Sequence, residues 1–264
     1  MIRMMRADAY RVLRDKFLYI ALAVLVAVVI LMTFVFQSVP GFLQMFTFAL
    51  GDETRAAGFA DGAAAAQMAL FLIPALSFIF LPLFRAVTIG FQDGVMKNEI
   101  SAGMNRTRIY LSKWALSSAL SMVYVLIFFA TIVLFTSIIS GFGKWGDGVF
   151  MSVLQSLGVL MLFVMAFNSV GVFFSFLFKK AFVVVEVYWF FLLAPVLLVS
   201  LFGFVESPLG NTILLFCLTS NATRFAQMSA MAQADMITGL VACLAFIVIP
   251  IVLGIFRFKK AEIK

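Results

Sequence analysis

Six stretches of the chain hold about 20 or more mostly apolar residues, the length a helix needs to cross a bilayer. They fall at Phe17–Phe36, Gln67–Thr88, Leu111–Ile139, Val149–Phe178, Phe182–Val205 and Ile237–Phe256. The pattern predicts an all-α fold, a polytopic membrane protein of six transmembrane helices forming a single transmembrane domain over 1–264. The third and fourth stretches are longer than a bilayer requires, so they tilt or project beyond the hydrocarbon. The first is not read as a cleaved signal peptide. Its apolar run exceeds the usual h-region of about 7–15 residues, and no A-x-A site follows it.

Basic residues between these stretches orient the chain. Arg3, Arg6, Arg11, Arg14 and Lys16 precede the first stretch, and Arg85, Lys97, Arg106, Arg108 and Lys113 surround the second connection. Lys179 and Lys180 lie in the fourth connection, and Arg257, Lys259, Lys260 and Lys264 follow the last stretch. Sixteen of the 19 basic residues thus share one side, leaving Arg55, Lys144 and Arg224 on the other. The positive-inside rule makes that an N-in, C-in topology.

Composition narrows the function classes. Apolar residues make up 64 % of the chain and charged residues 12 %, against about 45–50 % and 25 % in soluble domains. Mean hydropathy is +1.15. These values exclude a cytosolic enzyme, a secreted disulfide scaffold and a disordered chain. Histidine is absent, which removes Ser-His, Cys-His and His-metal chemistry. Cys217 and Cys243 read as two small buried hydrophobes. The net charge of +7 fits an anionic inner leaflet and membrane lipids, with no nucleic acid as partner.

Three segments outside the spans are informative. Residues 1–16 form an amphipathic interfacial helix, with Ile2, Met5, Ala9, Val12 and Leu13 on one face and Arg3, Asp8, Arg11, Arg14 and Asp15 around the rest. It either braces the bundle and touches a partner or serves as a topology anchor. The outer connection 37–66 contains an apolar piece, Gly41–Leu50, too short to span. The outer segment 206–236 before the last span contains Asn211–Leu218 and Ser220–Met231, pieces suited to dip into the leaflet or pack over the bundle. Its Asn221-Ala222-Thr223 sequon is a chance match in a chain of bacterial character.

The densest polar information lies in 92–105, between the second and third stretches. Asp93 sits where it can cap or charge the start of a short helix, Gly103 where a left-handed residue can end it. Asn105 is then the N-cap of the next helix. Val95, Met96 and Ile100 are expected to be available for a groove, with Lys97 and Glu99 paired at its rim. An ordinary basic loop with one helical turn is the plainer alternative.

The run Asp93-Gly94-Val95-Met96-Lys97-Asn98, then Ser101-x-Gly103, then Arg106-x-x-Ile109-Tyr110-x-x-Lys113 resembles the first cytoplasmic loop of ABC transporter permeases of the type-2 exporter class. It is most similar to permeases of bacitracin- and lantibiotic-type peptide export and self-protection. Val95 stands where that family often has Thr. The resemblance implies a coupling helix at about Gln92–Ala102, with Asp93, Val95, Met96, Lys97, Glu99, Ile100 and Arg106 coupling the chain to an ABC ATP-binding subunit in the bacterial cytoplasmic membrane. The chain has no G-x-x-x-x-G-K-[ST] loop. The resemblance therefore puts ATP and magnesium on the partner and no cofactor, metal or catalytic residue on this chain. It also implies a second copy or a related permease.

Within the spans, Glu186 is the one acid well inside an apolar stretch. Such an acid is a functional candidate; a structural pair with Lys179, Lys180 or Arg85 competes and is favoured by its shallow depth. Asn168 and Ser169 are expected to hydrogen-bond between helices. Phe163, Met165, Phe167, Phe173 and Phe174 line a pliable apolar path or face lipid. Two other functions remain open at this point, an ATP-independent secondary transporter or channel and an intramembrane enzyme. The scarcity of buried charge and of histidine weighs against both.

Overall fold

The computed structural model describes residues 2–38, 61–72, 81–143, 149–201, 213–214, 216–226 and 233–260. Among them the secondary structure is helical throughout. The helices are α1 Ile2–Leu13, α2 Lys16–Ser38, α3 Gly62–Leu72, α4 Leu81–Gln92, α5 Val95–Ser101, α6 Arg106–Ser140, α7 Val149–Phe178, α8 Ala181–Leu201, α9 Leu218–Arg224 and α10 Gln233–Lys260. Four of them, Lys16–Val35 within α2 together with α6, α7 and α10, are long and apolar enough to cross a membrane. The chain is a membrane-embedded helical protein.

At 1.5 Å per residue, α6, α7 and α10 measure about 53, 45 and 42 Å, well over the roughly 30 Å of a hydrocarbon layer. The excess of α6 and α7 is what the long third and fourth stretches predict; α10 also exceeds the sixth stretch, Ile237–Phe256, at both ends. The expected second span, Gln67–Thr88, corresponds to α3 and α4, separated by 73–80, which lie outside the described residues. The expected fifth span corresponds to α8, described as far as Leu201. The apolar piece Gly41–Leu50 also lies outside the described residues.

The bundle is organised around α7, whose residues from Ser156 to Phe176 include a nearly continuous buried run. Helices α3, α6, α8 and α10 pack against it. One main core joins Phe84, Phe128, Phe163, Phe167, Tyr188 and Phe225. Gly171 allows α4 to approach α7 closely, since a Cβ there would run into the Phe84 ring. Large exposed apolar residues on α10 run from Ile237 to Phe256, about 29 Å along the helix. That distance matches the hydrocarbon thickness, and Arg257, Lys259 and Lys260 follow immediately.

Polar side chains tie α6 to α7 inside the bundle. Trp114 Nε1 donates to Ser169 Oγ at 2.9 Å, Ser117 Oγ donates to Asn168 Oδ1 at 2.6 Å, and Asn168 Nδ2 donates to Ser118 Oγ at 3.0 Å. Asn168 and Ser169 thus tie α7 to α6, as expected. Both cysteines are buried. Helix α9 packs over the bundle with Leu218, Thr219, Asn221 and Ala222 buried, so the sequon asparagine is out of reach of a glycosylating enzyme.

Candidate functional site

At one end of the bundle, helices α4, α5, α6, α7 and α10 close around a second, smaller core. Its members are Val87, Met96, Ile109, Tyr110, Val172, Phe176 and Phe258. Phe176 is the hub, with ring centroids 4.5 Å from Tyr110, 4.9 Å from Phe258 and 5.3 Å from Phe91. Tyr110 donates its hydroxyl to the Pro250 carbonyl at 3.3 Å and occupies the space left by Gly254. Arg106 Nη1 donates to the carbonyls of Phe258 at 3.1 Å and Lys259 at 2.9 Å. A guanidinium suits this place, because the last carbonyls of a helix lack intrahelical donors and carry partial negative charge. Arg106 therefore fastens α6 to the end of α10.

Helix α5 is held between two turns. Gly94 precedes it with φ 69° and Gly103 follows it with φ 79°, conformations that cost a side chain about 1–2 kcal/mol. Asn105 then caps α6, its side chain accepting from Thr107 N–H at 2.9 Å. The expected roles of Gly103 and Asn105 hold. Asp93 differs: Gly94 occupies the N-cap without a side-chain bond, and Asp93 is exposed. Its N–H still bonds back to Ile89 O at 2.9 Å, so Asp93 belongs to the end of α4.

The apolar face of α5 points into its own bundle. Met96 is 1 % exposed within the small core, and Ile100 packs against that core. Val95 is half-buried. Sequence periodicity places Met96 and Ile100 on one face but is silent about which surface covers it, and the chain's own Val87 and Tyr110 region does so. The expectation that both are free for a partner's groove is corrected. What α5 exposes is Lys97, Asn98 and Ser101, continued by Ala102, Gly103, Met104 and Asn105.

The expected Lys97–Glu99 pair is also corrected. Glu99 turns inward to Lys113, Oε1 to Nζ 3.8 Å, and Lys113 also hydrogen-bonds Asp8 of α1. Lys113 is 3 % exposed, and Arg11 Nη2 lies 4.0 Å from Asp8 Oδ1. One buried ammonium thus joins three elements: α1, α5 and α6. Asp8 Oδ2 and Glu99 Oε2 have no hydrogen-bond partner among the described residues. Beside Asp8 and Lys113 lies a cavity of about 10 Å³, bordered also by Ser117, enough for one water. Asp8, assigned by the helical wheel to the polar face of the first helix, is buried because Lys113 stands opposite it. The sequence signal for this cluster was a lysine two turns into an apolar helix, which requires counter-charges.

Burial raises the pKa of Glu99 above the ordinary 4.5, against the lowering effect of Lys113; Asp8 raises it further and Arg11 opposes. A carboxyl with a raised native pKa binds more protons folded than unfolded, so its contribution to stability falls as pH rises above 4.5 through the native value. Melting of the full chain in detergent should show that decline between pH 4.5 and neutrality, and Glu99→Gln should flatten it. An unchanged slope in the variant would assign the decline to other groups.

Glu186 lies in the second turn of α8 and is exposed, with Phe182 and Phe190 one turn either side each 73 % exposed. No ion pair to Glu186 occurs among the described residues. Arg85 instead lies 3.7 Å from Asp15 and over the Phe17 ring at 4.8 Å, while Lys179 lies over Phe91. The expected structural pair of Glu186 is therefore corrected. Phe163, Phe167 and Phe174 are buried in the main core and do not face a path. Among the described residues no group of His, Cys, Asp or Glu is placed to hold a metal ion.

No protein-family model matches the chain, and no curated protein sequence matches it.

Proposed function

We propose that the chain is the permease subunit of an ATP-driven exporter of the ABC type-2 class, moving a hydrophobic or amphipathic substrate such as a peptide. In this reading the six spans are arranged N-in, C-in across a bacterial cytoplasmic membrane. Helix α5 is the coupling helix, and a separate ATP-binding subunit docks on its outer face. A second copy or a related permease completes the translocation path.

The observation that carries the reading is the mounting of α5. A seven-residue helix between two glycine turns has its inner face fixed by Met96 and by the Glu99–Lys113–Asp8 cluster. Its outer face, Lys97, Asn98 and Ser101, is polar and exposed among the described residues. A push on that face reaches α6 through Lys113 and α1 through Asp8 without bending a flexible linker. This is the arrangement a membrane domain needs to receive force from a soluble motor. The motif resemblance and the 16-to-3 division of basic residues support the same reading.

Single cysteines test the orientation. A cysteine replacing Lys97 should react with a membrane-impermeant maleimide only after the inner face is opened, and one replacing Asp52 or Gln233 should react from outside. Labelling of position 97 from outside would reverse the topology and remove the docking face from the ATP side.

A further inference from the structure

Between α8, α9 and α10 the bundle leaves a cavity of about 390 Å³. Its floor is formed by Leu192, Cys217 and Leu218, all buried, its sides by Phe191 and Phe246, and its rim by Phe216, which is 60 % exposed. Phe191 lies about 15 Å along α8 from Ala181, and Phe246 about 20 Å along α10 from Gln233. The two rings face each other edge-on at 6.3 Å, so the cavity sits at the middle depth of the bundle. The polar groups at its floor are already used. Thr219 Oγ1 donates to Leu192 O at 3.2 Å, and Cys217 Sγ lies 3.0 Å from that same hydroxyl.

These observations select the occupant. Among the described residues the lining carries no charged side chain, so a charged ligand would find no counter-charge there, a severe cost where no water can compensate. An apolar cavity of this kind also stays dry. Its rim carries Ile213 and Phe216, 47 % and 60 % exposed, and one turn beyond it the exposed Leu198 on α8 and Ile249 on α10 lie on the same side, an apolar surface of the kind that lipid tails cover. We propose that the cavity is a binding site for a hydrocarbon chain, filled by the acyl tail of a lipid from the surrounding bilayer. The volume falls within the roughly 300–1,000 Å³ of ligand-binding pockets. The site is independent of whether the chain transports anything.

The test uses the full chain in phosphatidylcholine vesicles containing a small fraction of phosphatidylcholine with a diazirine in mid-tail, with sites of photolabelling mapped by mass spectrometry. Phe190 and Leu197 face lipid and must label in any case. The site predicts additional label on Leu192, Cys217 or Leu218, which a tail reaches only by entering. Cys217→Phe, which fills the floor, should reduce label at Leu192 and Phe246 several-fold while sparing Phe190. Label confined to Phe190 and Leu197 in the unmodified chain would overturn the proposal. So would modification of Cys217 by a charged methanethiosulfonate from water, since a wetted cavity does not hold a tail.

Discussion

Lys113→Met is expected to be among the most damaging single changes in this protein. It leaves the Asp8 carboxylate, 6 % exposed, and the Glu99 carboxylate, 13 % exposed, with their shared cation gone and Arg11 4.0 Å from Asp8 left to compensate. Removing one partner of a buried ionic group typically costs about 3–5 kcal/mol, because the remaining charge stays desolvated. The melting temperature of the full chain should fall sharply, and α1 and α5 should become accessible to protease. The triple change Lys113→Met, Asp8→Asn, Glu99→Gln removes the orphaned charges together and should recover most of the loss, since replacing a whole buried cluster is often close to neutral. A single variant that melts like the unmodified chain would mean that the three side chains do not share one enclosed site.

Met96→Ala is the second large effect, and it separates the two faces of α5. Met96 is 1 % exposed among Val87, Ile109, Tyr110 and Phe176. Truncating a buried Met to Ala costs about 2–5 kcal/mol through lost burial and the cavity left behind. Thermal unfolding should report this in the chain alone, without any partner. Lys97→Ala on the opposite face should change stability by less than about 0.5 kcal/mol, as exposed positions do. If Met96→Ala left stability unchanged and Lys97→Ala lowered it, the inward and outward faces of α5 would be assigned the wrong way round.

This division was only half legible in the sequence. Apolar runs of spanning length gave α2, α6, α7 and α10 to within a few residues at most ends, because a helix in lipid has no other way to satisfy its backbone. Gly103 and Asn105 were legible for local reasons, a left-handed turn and a side-chain cap, and neither depends on the rest of the fold. The Asn168–Ser169 tie was legible because polar side chains within an apolar helix need partners nearby. The partners of Met96, Asp8 and Glu99 were not legible. Periodicity shows which residues share a face, but not which distant segment covers that face. Met96 meets Phe176 and Phe258, and Asp8 meets Lys113 across 105 positions of chain. The same blindness assigned Glu186 a cation that stands elsewhere: Arg85, one of its three candidates, is engaged with Asp15 and Phe17.

A partner docking on α5 as proposed would meet Lys97, Asn98 and Ser101, with Met104, 43 % exposed, as the apolar anchor among polar neighbours. In that arrangement force applied there would pass to α6 through Lys113 and to α1 through Asp8.

The most direct test is the ATPase activity that accompanies the full chain. Affinity-tagged unmodified chain and the double variant Lys97→Glu, Met104→Ala are isolated from their own membranes in mild detergent, and ATP hydrolysis is measured per mole of chain. The permease reading predicts activity eluting with the unmodified chain and a loss of about tenfold or more in the double variant, equivalent to about 1.4 kcal/mol of docking energy, at an unchanged melting temperature. A folded unmodified chain that elutes without any ATP hydrolysis, or a double variant that retains all of it, would contradict the account.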